Sequence, residues 1–229
     1  MRYEFLVLSV LFLVPGGCIW LVRPDLRALM KRAVAMSLPF AATEWLFYPE
    51  YWTPRFLFNL ADHLGFGIED VLFVAGLGAF SSTAYAVAFR RTPVPHETRV
   101  RPWLRAAGAF VLALSVTFAL LAAGLTILYA AVMSMVSVSA ILLLMRGDLA
   151  VPSLLGALVS AGIYLALCLV FGALVPGVFE RTWRPGVLLT GKLLGVPLDE
   201  VLYGLGAGFG ATIVPAWACG WRFMPLRPR

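Results

Sequence analysis

Charge is scarce in this chain: Asp, Glu, Lys and Arg make up only 13% of its 229 residues, against about 25% in ordinary soluble domains. No soluble core of this size hides an apolar content of 61%, so a water-soluble globule is excluded. Histidine numbers two and cysteine three. Cys18, Cys168 and Cys219 are odd in number and lie in apolar runs, which argues against a disulfide framework or a metal cluster. No glycine-rich loop follows a strand pattern, and no Asp-x-x-x-Asp run is present. Dinucleotide binding and magnesium–diphosphate chemistry are therefore disfavoured. Lysine is nearly missing; the net charge of +6 comes from 16 Arg and 2 Lys placed at the ends of apolar runs rather than in a stripe. Nucleic-acid binding is a poor explanation of such charge, and membrane topology a good one.

What remains is long apolar runs, and lipid offers their backbone groups no water, so they are read as helices. Spans are expected at about 4–22, 30–48, 68–89, 103–123, 125–145, 150–176 and 198–219, taking about 20 residues per crossing. The fold class is all-α, a polytopic bundle of about seven transmembrane helices in one membrane domain. Pro39 and Glu44 interrupt the second span. Residues 106–145 carry no charge; as one helix they would run about 60 Å, too long for one crossing, so a tight turn is expected near Ala123-Gly124. Pro15-Gly16-Gly17-Cys18 faintly suggests a lipoprotein site, but the apolar run continues to Arg23, and a retained first helix is expected.

Cytoplasmic loops collect Lys and Arg. With the N-terminus outside and the C-terminus cytoplasmic, the inner side holds 13 of the 18: Arg23, Arg27, Lys31, Arg32, Arg90, Arg91, Arg99, Arg101, Arg105, Arg146, Arg222, Arg227 and Arg229. Arg2, Arg55, Arg181, Arg184 and Lys192 stay outside. The expected location is the cytoplasmic membrane, crossed several times.

The chain also repeats itself. Shifted by 130, Leu64-Gly65-Phe66-Gly67-Ile68-Glu69-Asp70-Val71-Leu72-Phe73 falls on Leu194-Gly195-Val196-Pro197-Leu198-Asp199-Glu200-Val201-Leu202-Tyr203. Trp52-Thr53-Pro54 falls on Trp183-Arg184-Pro185, and Arg23-Pro24-Asp25-Leu26 on Arg146-Gly147-Asp148-Leu149. Repeat 1 is expected over about 1–92, a linker helix over about 103–123, and repeat 2 over about 125–229. An odd linker returns the chain to its starting side, so the repeats run parallel. Both acidic pairs then lie at one depth.

Glu69-Asp70 and Asp199-Glu200 open the third and seventh spans. Carboxylates in a first helical turn complement the macrodipole and cap free N–H groups. Their recurrence in both repeats, near apolar depth where ionisable groups are costly, points instead to a functional site. Glu44, among Phe40, Trp45 and Phe47, is a third acidic candidate; snorkelling to the interface is its other explanation. Trp52, Phe66, Phe73, Trp183 and Tyr203 lie near the acidic pairs and are candidate substrate contacts, or else an interfacial aromatic belt. Asp62 and His63 offer a base or a ligand, but no other His or Cys has metal-ligand spacing, so no metal site is expected. Gly204-x-Gly206-x-Gly208-x-Gly210 lies inside a span, where close helix packing explains it.

The repeated pattern, a Trp-x-Pro approach followed by Leu-Gly-x-Pro-Leu-acid-acid-x-Leu-aromatic, resembles the membrane lycopene cyclase domain. That family includes heterodimeric-type bacterial and archaeal carotenoid cyclases and the cyclase half of fungal bifunctional enzymes. Its motif is Pro-x-Glu-Glu in each repeat; here the copies read Gly67-Ile68-Glu69-Asp70 and Pro197-Leu198-Asp199-Glu200. The resemblance implies an isomerase that cyclises the ψ-end groups of a lipid-dissolved linear carotenoid without net redox change and without a cofactor, giving β-type rings. It implies Glu69, Asp70, Asp199, Glu200 and Glu44 as acids and bases. Partners expected are the linear carotenoid and membrane lipids, with carotenoid-pathway enzymes or self-association as further options. Two rival functions share the sequence features: a small transporter built from parallel three-helix repeats, and a non-catalytic cyclase partner subunit.

Overall fold

In a computed structural model, residues 3–97, 99–184, 189 and 191–226 are described; Arg2, Pro185, Arg227 and Arg229 lie outside the described residues. The chain is an all-α membrane bundle. Among the described residues, six helical segments are long and apolar enough to cross a bilayer. They contain α1 (Glu4–Val22), α4 (Ile68–Ala88), α5 (Pro102–Ala122), α6 (Ile127–Met145), α7 (Ala150–Leu174) and α9 (Leu198–Ala218). Between them lie α2 (Arg27–Ser37) and the short α3 (Leu60–Leu64) and α8 (Val178–Thr182).

The segment expected as the second span, 30–48, is not one continuous α-helix. It is α2 followed by a 3-10 stretch, Leu38–Leu46. Pro39 is the physical cause, since its ring removes an N–H and clashes with the preceding turn. The turn expected at Ala123-Gly124 is present, with Gly124 at φ 90°, a conformation that glycine adopts without strain.

The two halves correspond in their long helices and end strands. Offset by 123, α1 falls on α6, and α2 with the 3-10 stretch on α7; offset by 130, α4 falls on α9 and β1 (Arg91–Pro95) on β4 (Trp221–Pro225). The short hairpin of β2 (Lys192–Leu193) and β3 (Val196–Pro197) has no strand counterpart in the first half among the described residues. Strands β1 and β4 pair antiparallel with Pro93 opposite Phe223, which are themselves equivalent positions. Trp52 and Trp183 form an antiparallel bridge at the opposite end. Antiparallel pairing of equivalent residues at both ends defines a pseudo-two-fold axis along the bundle. Helices α4 and α9 both run from the acidic end to the β1–β4 end, so they are parallel.

Packing follows the same symmetry. A Cβ on Gly78 would meet Ser37 Oγ at 2.6 Å, and one on Gly208 would meet Ser160 Cβ at 2.6 Å. Ser37 and Ser160 are equivalent at the 123 offset. The glycines of α4 and α9 thus let a helix approach too closely for any side chain. At the β end, Arg23 grips both oxygens of Asp25 and the Arg91 carbonyl. Arg146 grips Asp148 and the Trp221 carbonyl in the same way.

Candidate active site

The acidic residues at the helix starts are held by the turn geometry that precedes them. Gly67 caps α4 in an extended conformation, and its N–H donates to Asp70 Oδ2 at 2.6 Å. This fixes Asp70 at the first turn with its other oxygen free to face inward. Adjacent residues on a helix diverge by about 100°, so each acidic pair splits. Asp70 and Glu200 line a cavity at the acidic end, and Glu44 joins them.

Glu69 and Asp199 do not line this cavity. Glu69 is fully buried and accepts from the Leu57 N–H at 2.7 Å, anchoring the turn that contains the left-handed Phe58 and Asn59. Asp199 faces Tyr129, whose hydroxyl is 3.5 Å away. Of the aromatic candidates, Trp52, Phe73, Trp183 and Tyr203 line the cavity, whereas Phe66 is half-buried and outside it. Asp62 and His63 are exposed. Among the described residues no group of three His, Cys, Asp or Glu side chains is arranged to hold a metal ion.

Glu200 is the most heavily addressed carboxyl. Its Oε1 accepts from the Tyr51 hydroxyl at 2.6 Å and Trp183 Nε1 at 2.7 Å, and its Oε2 accepts from the Tyr164 hydroxyl at 2.6 Å. Three converging donors match an acceptor-only carboxylate. Burial pushes the Tyr51 phenol well above its ordinary value, and neighbouring Glu200 adds to the effect. Tyr51 therefore stays a hydroxyl donor at neutral pH. Tyr51 and Tyr164 were not singled out by sequence; a solitary tyrosine in the middle of the apolar α7 is a signal that would have marked Tyr164.

The other half of the site differs. Trp52, the equivalent of Trp183, donates its Nε1–H to Glu44 Oε1 at 2.6 Å, because Asp70 is one methylene shorter than Glu200. Glu44 and Asp70 both line the cavity. Two carboxyls in one apolar site do not readily both ionise, so such a pair can hold one proton between them. The cavity therefore brings together Glu44, Asp70 and a third carboxyl, Glu200, that accepts from three donors.

Between them lie aromatic faces. The Trp52 and Trp183 rings are 5.1 Å apart, Phe5 meets Trp52 at 4.5 Å, and Tyr164 and Tyr203 are 6.2 Å apart. Ring faces attract cations through their quadrupole. The site combines three carboxyls with a lining of aromatic faces, and Thr43 and the tyrosine hydroxyls are among its other polar groups.

Residues 126–218 match the lycopene cyclase family, in agreement with the resemblance carried by the repeated acidic motif. The match spans α6 through α9 and includes Glu200, Tyr164 and Trp183. No curated protein and no solved structure matches the chain.

Proposed function

We propose that this chain is a carotenoid cyclase that closes rings at the ends of a linear, lipid-dissolved polyene by acid–base chemistry, an isomerisation without net redox change. The observation that carries the reading is the pairing, in one apolar cavity, of the Glu44–Asp70 carboxyls with the triply hydrogen-bonded Glu200. The family match over residues 126–218 supports it.

Atoms balance in this scheme. The Glu44–Asp70 pair gives its proton to the terminal double bond of a ψ-end group, leaving a tertiary cation. A neighbouring double bond attacks, the ring bond forms, and the charge moves to a ring carbon. Glu200 removes a ring proton, which fixes the position of the new double bond; loss from the carbon that yields the conjugated alkene gives a β-ring. One proton enters, one leaves, and the product is an isomer of the substrate. The aromatic faces steady the cation, worth about 2 kcal/mol for a desolvated contact. Nothing in this scheme calls on a cofactor.

Apolar walls around three carboxyls also favour a cyclase over a transporter, which needs a wetted path. The orientation with the N-terminus outside and the β1–β4 end cytoplasmic follows the positive-inside rule. The membrane would then be the cytoplasmic membrane, with the acidic cavity toward its outer face.

The test is expression in a bacterium that accumulates lycopene, followed by chromatographic separation of the pigments. Cyclic carotenoids are expected with the unsubstituted chain and a drop of at least a hundredfold with Glu200→Gln. Unchanged lycopene with the unsubstituted chain present in the membrane contradicts the reading.

A further inference from the structure

The pseudo-two-fold symmetry is also broken away from the acidic residues. On one side of the axis α1 packs directly against α7, with the Phe12 and Tyr164 rings 5.0 Å apart. The equivalent helices on the other side, α6 and α2, instead face one another across an open groove. The sequence explains the opening. At the 123 offset, Leu8 becomes Ala131, Phe12 becomes Met135 and Tyr164 corresponds to Ala41. Large plugs on the closed side are small or thin side chains on the open side.

This groove adjoins the acidic cavity, since Phe40, Thr43, Phe47, Val74 and Tyr203 line both. From Tyr203 it follows α9 to Pro215, a run of about 18 Å at 1.5 Å per residue. Among the described residues no charged side chain lines it. Its hydroxyls are largely turned onto backbone carbonyls: Ser37 donates to the Val74 carbonyl, and Thr117 and Ser134 both donate to that of Ala113. The outer wall is α5, which turns Ala106, Ala109, Phe110, Ala113, Leu114 and Thr117 toward the groove. The Phe40 and Phe110 rings meet 4.9 Å apart where the 3-10 stretch approaches α5.

We infer that this groove holds the unreacting remainder of the linear isoprenoid chain while one end occupies the acidic cavity, so that α5 is a wall of the substrate site. The inference rests on the cyclase reading and adds the tail site. An apolar polyene fits a long groove without charged groups, and the five residues shared with the acidic cavity select the substrate's own tail over a lipid acyl chain. With the tail held on this side, one end is processed at a time, and the chain must turn round for a second ring to form.

The test restores the closed-side residue on the open side. Ala131→Leu copies Leu8, and Ala113→Phe fills the groove from α5; Met133→Phe, on an exposed position of α6, is the control. Each protein is assayed in lipid vesicles with full-length lycopene and with an acyclic isoprenoid of half the length bearing the same end group. Both filling variants are expected to lower full-length turnover at least tenfold while leaving the short substrate within twofold of the unsubstituted chain, and Met133→Phe to leave both unchanged. Full-length turnover retained in both filling variants overturns the tail site. So does an equal fall for both substrates in both variants. If the unsubstituted chain cyclises neither substrate, the cyclase reading itself fails, which the unsubstituted control reveals separately.

Discussion

At the scale of single residues, the four motif carboxyls are unequal. Asp70 and Glu200 face the cavity, whereas Glu69 accepts from the Leu57 N–H and Asp199 faces Tyr129. Asp70→Asn is therefore expected to cut ring formation at least a hundredfold, as Glu200→Gln does, while Glu69→Gln keeps activity within about tenfold of the unsubstituted chain. Pigment ratios measured at matched membrane expression check this ordering, and equal losses at all three positions would refute it. Tyr164→Phe removes one donor to Glu200; a hydrogen bond to a charged group is worth about 1.5–3 kcal/mol, so kcat is expected to fall roughly tenfold or more with little change in KM. The motif itself was legible in sequence because it repeats at one offset. Which member of each pair faces the cavity was not, since that depends on how α4 and α9 are rotated against their neighbours. Glu44 was legible as an acid amid aromatics, but its contact with Asp70 depends on the 3-10 stretch that Pro39 imposes.

At the scale of elements, hydropathy located the long helices to within a few residues, because lipid leaves a span little choice but a continuous helix. The second span differed: proline and a buried acid replaced the helix by a shorter, irregular segment, and that segment carries Glu44 to the cavity. The glycines of α9 read correctly as packing positions, and Gly208 makes the point testable. Gly208→Ala drives a Cβ into Ser160, and overpacking of this kind costs about 1–3 kcal/mol. A lowered thermal midpoint in detergent is expected, partly recovered by adding Ser160→Gly; an unchanged midpoint would contradict the close approach.

The β end has its own clamp. Glu97 bridges Arg105 of α5 and Arg146 at the end of α6, each at 2.7 Å. These guanidinium groups hold its carboxyl below the usual carboxylate range, the Arg105 hydrogen bond contributing most. A depressed native pKa stabilises the fold above the unfolded carboxylate value, and that contribution is lost as pH falls through the native value. Glu97→Gln is thus expected to lower the thermal midpoint at neutral pH, with the difference shrinking as the pH is taken below the carboxylate range. A difference that grows on acidification would be the wrong sign.

At the scale of the whole molecule, two corresponding halves converge on one cavity. The parallel arrangement expected from the odd linker agrees with α4 and α9 both starting at the acidic end. Symmetry would supply two equal sites if both motifs were alike and both interfaces equally packed. Instead Asp70 is shorter than Glu200, Trp52 turns to Glu44, and α6 stands off from α2. In the proposed reaction the duplicated frame supplies a donor on one side and an acceptor on the other, with a groove beside them. Comparing Leu8 with Ala131 and Phe12 with Met135 across the offset would have revealed that asymmetry from sequence alone, although not that a groove fills the difference.

The most direct measurement is cyclisation of lycopene by the purified chain in lipid vesicles made up in deuterium oxide, with no added cofactor, and the product weighed by mass spectrometry. Carboxyl protons exchange with solvent, so an end group protonated by the acid, closed by double-bond attack and completed by loss of a ring proton should carry one deuterium per ring. A cyclic product without deuterium, or no cyclic product at all, would contradict the account.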